Sequence, residues 1–220
     1  KKKKTAIGFQ ALKTLNAGAD SFNVAVGYQA AEAMTTGARN TAIGANALDT
    51  ATDGDDNVAI GYDAGTAVTT ASDNTLVGAY AGTALTTGTA NVAMGFEALK
   101  TEDANGESVA IGYQALKTQN AGASGLNVAV GYQAGTAVTT GVKNTLLGAS
   151  SGIATTSGDF NTALGYEALA ANTDQNSNTG IGAQTLKTNV NGAKNTAVGS
   201  GALFTMNPAS DTDTFNTAVA

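Results

Sequence analysis

Asp53, Asp55 and Asp56, in the run Thr-Asp-Gly-Asp-Asp-Asn, form the densest carboxylate cluster of this 220-residue chain, and oxygen-rich loops of that kind attract hard cations. The cluster occurs once and lacks the spacing of an EF-hand loop. It therefore reads as a solvated acidic turn, its aspartates only as fallback metal ligands. Tyr28, Tyr62, Tyr113, Tyr132 and Tyr166 occupy one place in a recurring phrase, joined there by Phe9 and Phe96. A row of rings can contact glycans by stacking, but the interchange of Tyr with Phe and Ala suits packing, with the phenol reaching solvent. Thr pairs at Thr35-Thr36, Thr69-Thr70, Thr86-Thr87 and Thr139-Thr140 raise ice binding. The units beginning at Asn91, Asn178 and Asn195 lack them, which breaks the plane.

The missing residue types exclude more. With no His, no Cys and no Trp there is no Ser-His-Asp or Cys-His nucleophile, no zinc site of ordinary type, no haem ligand set and no disulfide framework. Nothing in the sequence sets two carboxylates at catalytic separation, so the chain reads as a non-enzyme that needs no cofactor. Eleven Lys+Arg against 17 Asp+Glu give −6; Lys1 to Lys4 supply four of the positive charges, leaving 7 against 17, or −10, for the rest. Such an acidic body is a poor binder of nucleic acid or anionic membranes. No run approaches the roughly 18 apolar residues of a membrane span, and no signal peptide opens the chain.

The elements that carry these residues come from one repeat. The phrase Asn-(Thr/Val)-Ala-(Ile/Val/Leu)-Gly-(Tyr/Phe/Ala)-x-Ala begins at Lys4, Asn23, Asn40, Asn57, Asn74, Asn91, Ser108, Asn127, Asn144, Asn161, Asn178, Asn195 and Asn216, and nine of the twelve steps are 17 residues. The longer steps add residues only at the far end of the unit, which marks that end as a loop. Asn at position 1 tolerates turn geometry and can bond stacked neighbours, so it reads as a structural ladder. Position 5 is glycine at Gly8, Gly27, Gly44, Gly61, Gly78, Gly95, Gly112, Gly131, Gly148, Gly165, Gly182 and Gly199, as special backbone geometry or close packing would require.

Positions 2, 4 and 6 alternate with small or polar residues, a strand signature. A strand, a turn, a shorter second strand through Thr-Ala-Val-Thr-Thr and a Gly/Asp/Asn loop would fill one coil of a parallel β-roll or β-solenoid, all-β, with about thirteen coils. If the large residues at 2, 4 and 6 face the interior, Ala at 3 and Gly at 5 form a smooth outer ridge suited to close approach of sister chains. Position 9 is Leu in Leu12, Leu48, Leu99, Leu116, Leu169, Leu186 and Leu203. Where it is Gly or Ala, a later residue substitutes: Met34, Val68, Leu85, Val138 or Ile153. Coils this thin gain stability from stacking and association.

The phrases NTAIGANAL, NVAVGYQAG and SVAIGYQAL resemble the β-roll repeats of trimeric phage tail fibres and of YadA-like trimeric autotransporter adhesin heads, over essentially all residues from Thr5 onward. The resemblance implies a left-handed β-roll, three chains side by side, an extracellular place on a bacterial cell surface or a virion, and a role in attachment to a host glycan or protein receptor. Residues 1–4 are then a basic leader or a cloning remnant, and 5–220 one solenoid array, a fragment of a longer fibre. The expectation is a homotrimeric shaft or head. A monomeric solenoid binding ice or polysaccharide is the alternative, and a polysaccharide-cleaving solenoid ranks last, since the loops vary by only two to four residues.

Overall fold

The computed structural model describes residues 3–16, 21–122, 124–206, 208–210 and 212–220. Lys1 and Lys2, half of the basic leader, lie outside the described residues, as do 17–20, 123, 207 and 211, all in the longer steps of the repeat. Lys4 belongs to the fold: it stands where Asn stands elsewhere and is in register with Asn23.

Contacts group the chain into two units, Lys1–Glu107 and Ser108–Ala220. In the first, β1 (Lys4–Ile7), β2 (Asn23–Val26), β3 (Thr41–Ile43), β4 (Val58–Ile60), β5 (Thr75–Val77) and β6 (Val92–Met94) lie side by side in chain order, all parallel. In the second, β7 (Val109–Ile111), β8 (Val128–Val130), β9 (Thr145–Leu147), β10 (Thr162–Leu164), β11 (Thr179–Ile181), β13 (Thr196–Val198) and β15 (Thr217–Val219) do the same. A short second sheet there pairs β12 (Gly192–Ala193) with β14 (Thr212–Asp213). The described residues contain no helix. Each unit is thus a parallel β-solenoid built on the 17-residue coil.

Most coils carry one strand. Its position-2 residue is Thr or Val in every coil, β-branched and suited to a pleat. It ends at the position-5 glycine, whose φ runs from 115° to 144° in the coils, a region essentially closed to L side chains. A Cβ on Gly131 would stand 2.6 Å from the Gly148 carbonyl oxygen of the next coil. The expected second strand through Thr-Ala-Val-Thr-Thr does not form. The chain turns there, yet its backbone still bonds the next coil, as in Ala67 N–H to Thr83 O at 3.1 Å and Thr69 N–H to Thr86 O at 3.0 Å. The turns rest on left-handed residues at positions 7, 9 and 17, for example Gln133 (φ 54°), Leu48 (φ 52°) and Asp56 (φ 60°).

The facing of the strand is the reverse of the expectation. Ala25, Ala42, Ala59, Ala93, Ala110, Ala129, Ala163 and Ala197 at position 3 have no exposed surface, whereas Ile43, Ile60, Met94, Leu164 and Ile181 at position 4 are exposed. A 17-residue coil is too narrow for large side chains on its strand as well as its turns, so Ala faces in and the aliphatic residues face out. The turns fill the core. Leu48, Leu99, Leu116, Leu169 and Leu186 are fully buried at position 9, and Met34, Val68, Leu85 and Val138 are fully buried at position 12 where position 9 is Ala or Gly. Two residues differ: Leu203 at position 9 and the substitute Ile153 at position 10 are only half-buried. In the coil of Gly152 the inward side chains are Leu146 at position 3 and Thr155 at position 12, both fully buried. A left-handed Leu costs about 1–2 kcal/mol, and burying its side chain returns about 1.5–3 kcal/mol, which is why both Leu and Gly persist at position 9.

Candidate functional site

The asparagines are consumed by the fold. Asn57 Nδ2 donates to Ala71 O at 2.7 Å, which closes its own coil, and Asn57 Oδ1 accepts from Asn74 N–H at 3.1 Å, which starts the next one. Asn23, Asn40, Asn74, Asn127, Asn144, Asn161 and Asn178 repeat the pattern. Asn91 takes the Asn74 Oδ1 bond on its N–H and donates to Asn105 O, while Asn195 Oδ1 accepts from Asn216 N–H. The ladder asparagines from Asn23 to Asn195 are buried and offer a ligand nothing. Buried polar residues at position 12 serve the same loop: Asn189 Nδ2 donates to Gly192 O at 2.6 Å, and Glu102 Oε1 accepts from Asn105 Nδ2 at 3.0 Å.

The acidic cluster is tied to the preceding coil. Asp53 Oδ1 accepts from the hydroxyls of Thr35 and Thr36, both at 2.7 Å. Asp55 accepts from Ala38 N–H, and Asp56 holds Arg39 through Nε at 2.6 Å and Nη2 at 2.7 Å. The Thr35 hydroxyl holds the Asp53 carboxyl below its usual value, and Arg39 does the same to Asp56. Among the described residues no group of three or more carboxylates is placed to hold a metal ion. The arrangement is an ion-paired surface turn.

The threonines form a longer row than the Thr-Thr pairs indicated. In the first unit Thr35, Thr52 and Thr69 each donate a hydroxyl to the carbonyl of the next, with Thr86 receiving the last. In the second unit Thr139 and Thr156 do so toward Thr173. Thr52 is followed by Asp53 and so belongs to no Thr-Thr pair, and Thr156 is the second member of Thr155-Thr156, a pair set one position earlier in its unit than the others. These hydroxyls are spent on the backbone, and Asp53 interrupts the outer row.

What remains open to a partner is the outer side of each sheet. Position 2 is Thr or Val and position 4 is Ile, Val, Leu or Met in every coil. Beside these two columns stands the aromatic one, with Tyr28 52%, Tyr62 49%, Tyr113 42%, Tyr132 55% and Tyr166 54% exposed. The rings do pack, on the outside and against one another. Phe9 lies on Tyr28 at 5.3 Å, and Tyr113 on Tyr132 at 5.2 Å, nearly parallel. In these two pairs each ring covers one face of its neighbour. Tyr80, at position 7, was not singled out in the sequence; its ring meets Tyr62 and Phe96 edge-on at 5.4 and 5.9 Å and fills the place left by Ala79. The charge of Asp63 pushes the Tyr62 phenol up.

A second exposed apolar set precedes the asparagine corner. Phe22, Leu126, Phe160 and Phe215 are more than two-fifths exposed, and Lys143 and Lys194 lie over Phe160 and Phe215 at 5.0 and 5.1 Å. Among the described residues no helix is long and apolar enough to cross a membrane. Against this geometry, no family model, no curated protein and no solved structure matches the chain.

Proposed function

We propose that the chain is a non-catalytic fibre segment: a rigid solenoid that associates with two copies of itself, outside the cell on a bacterial surface or a virion, and serves attachment or display. The supporting observation is the pair of columns at positions 2 and 4, unbroken within each unit. A row of Thr/Val beside a row of Ile/Val/Leu/Met along one sheet face is an apolar patch of the kind that soluble monomers rarely leave open. Its regularity fits a partner with the same spacing, which a second copy of the chain supplies. The association face is therefore the aliphatic face, since the position-3 Ala residues are enclosed in the core. The aromatic column, interrupted by Ala45, Ala79, Ala149, Ala183 and Ser200, forms the rim.

Light scattering of the whole chain tests this. Three times the chain mass is expected at micromolar concentration, and Ile60→Glu with Leu164→Glu should shift the particle to a single folded chain. A wild-type protein that is well folded and monomeric overturns the proposal.

A further inference from the structure

The chain contains two Asn-Gly steps, Asn105-Gly106 and Asn191-Gly192, at which the glycine nitrogen can attack the side-chain carbonyl carbon of the asparagine. The fold treats them differently. Gly192 lies in β12, paired with β14, and its N–H donates to Asn189 Oδ1 at 3.1 Å. The Asn191 amide is also held, with Nδ2 donating to Pro208 O at 2.9 Å. Asn105 and Gly106 are half-buried in a loop, and no hydrogen bond engages the Gly106 N–H among the described residues. This loop is the odd one of the first unit: position 15 is Gly37, Gly54, Ala71 and Gly88 in the preceding coils and Asn105 here. Behind it sits the fully buried Glu102, whose Oε1 accepts from both Asn105 N–H at 3.3 Å and Asn105 Nδ2 at 3.0 Å. The Asn105 carbonyl accepts from Asn91 Nδ2 at 3.1 Å.

We infer that Asn105 is a site of spontaneous deamidation, and that its conversion opens the loop of this coil. The Gly106 nitrogen loses its proton to solvent and forms a bond to Asn105 Cγ. Nδ2 leaves as ammonia, and a five-membered imide remains. Water opens the imide by breaking one of its two C–N bonds. Breakage at Cγ leaves aspartate; breakage at the main-chain carbonyl leaves isoaspartate, with the chain rerouted through Cβ and Cγ. Either product replaces the amide that donates to Glu102 with a carboxylate that can only accept. A second carboxylate then faces the buried Glu102, and two like charges at that separation from water are strongly unfavourable. Isoaspartate also lengthens the main chain in a coil whose closure depends on the Asn91 bond. The inference does not depend on what covers the aliphatic face.

Ageing the whole chain at mildly alkaline pH, with peptide mapping of Asp and isoaspartate at both steps, tests it. In urea the two steps should react at similar rates. In the native protein Asn105 should outpace Asn191 about tenfold, the equivalent of about 1.4 kcal/mol. Asn191 keeping pace with Asn105 natively, or Asn105 slowing as much as Asn191, overturns the site. For the consequence, Asn105→Asp should speed amide hydrogen exchange across 101–107, and adding Glu102→Gln should restore most of the protection. Unchanged exchange in Asn105→Asp overturns the coupling to Glu102.

Discussion

Asn57 shows how much one side chain carries in a coil. Its amide closes residues 57–71 into a loop, and its oxygen takes the N–H of Asn74. Asn57→Ala leaves Ala71 O and Asn74 N–H buried without those partners, each at a cost of about 1–3 kcal/mol. A loss of about 3 kcal/mol in urea unfolding is expected, and a loss under 1 kcal/mol would mean that the ladder is ornamental. The converse case is Thr155. Its hydroxyl and that of Ser151 are buried without a hydrogen-bond partner, while the same place holds Val68 and Val138 in sister coils. Thr155→Val keeps the shape, removes the unsatisfied group and should raise stability by about 1 kcal/mol, read as a higher urea midpoint with unchanged slope.

At the scale of the coil, positions 3, 9 and 12 share one volume. Leu48→Gly should ease a left-handed backbone but empty the core beside Ala51, costing about 2–5 kcal/mol. Adding Ala51→Val rebuilds the Gly65/Val68 arrangement and should recover at least about 1 kcal/mol, a coupling that a double-mutant cycle in urea measures directly. Additive effects would show that the positions do not share space. This sharing is also where the sequence was most informative and most misread. The period, a strand at the start of each unit, the Asn ladder and the special glycine were all legible, because each repeats in place; the alternation through position 6 overstated the strand, which stops at position 4 before the glycine. The facing was not, because alternation marks two sides without saying which is inner. Leu76 and Leu146, at position 3, held the decisive sign. Both stand in coils whose position 9 is glycine, Gly82 and Gly152, so position 3 draws on the same interior volume. The left-handed turns at Gln and Leu were illegible, since neither residue favours that conformation, and the missing second strand followed from them.

For the whole molecule, the carboxylates set the response to pH. Glu32 is held below its usual value by its bond to Lys13, Asp53 by Thr35 and Thr36, Asp56 by Arg39, and Glu167 by Lys187. Their stabilisation is present above the unfolded carboxyl value and is lost as pH falls through their lower folded values. Asp49 runs the other way. Desolvation pushes its carboxyl up, Asp63 and Glu32 add to the shift, and its Oδ1 is buried without a partner. Its contribution is full in acid and is lost as pH rises through its folded value. Asp49→Asn should therefore raise the melting temperature at pH 7 by about 2 °C, a modest figure because the side chain is half-exposed. The gain should fade toward pH 4. An equal gain at both pH values would show that charge is not the cause.

The bond from Asn57 Oδ1 to Asn74 N–H spans 17 residues, and so does the one from Asn40 Oδ1 to Asn57 N–H. Excising residues 57–73 would leave the Asn40 oxygen facing an identical acceptor-seeking N–H at Asn74, with Ile43 and Val77 on the same outer column. Losing 16 residues would instead turn every following side chain to the wrong side of the sheet. Length in such a chain is thus a quantity that recombination between near-identical coding segments can add or remove by whole periods, with no new folding problem to solve.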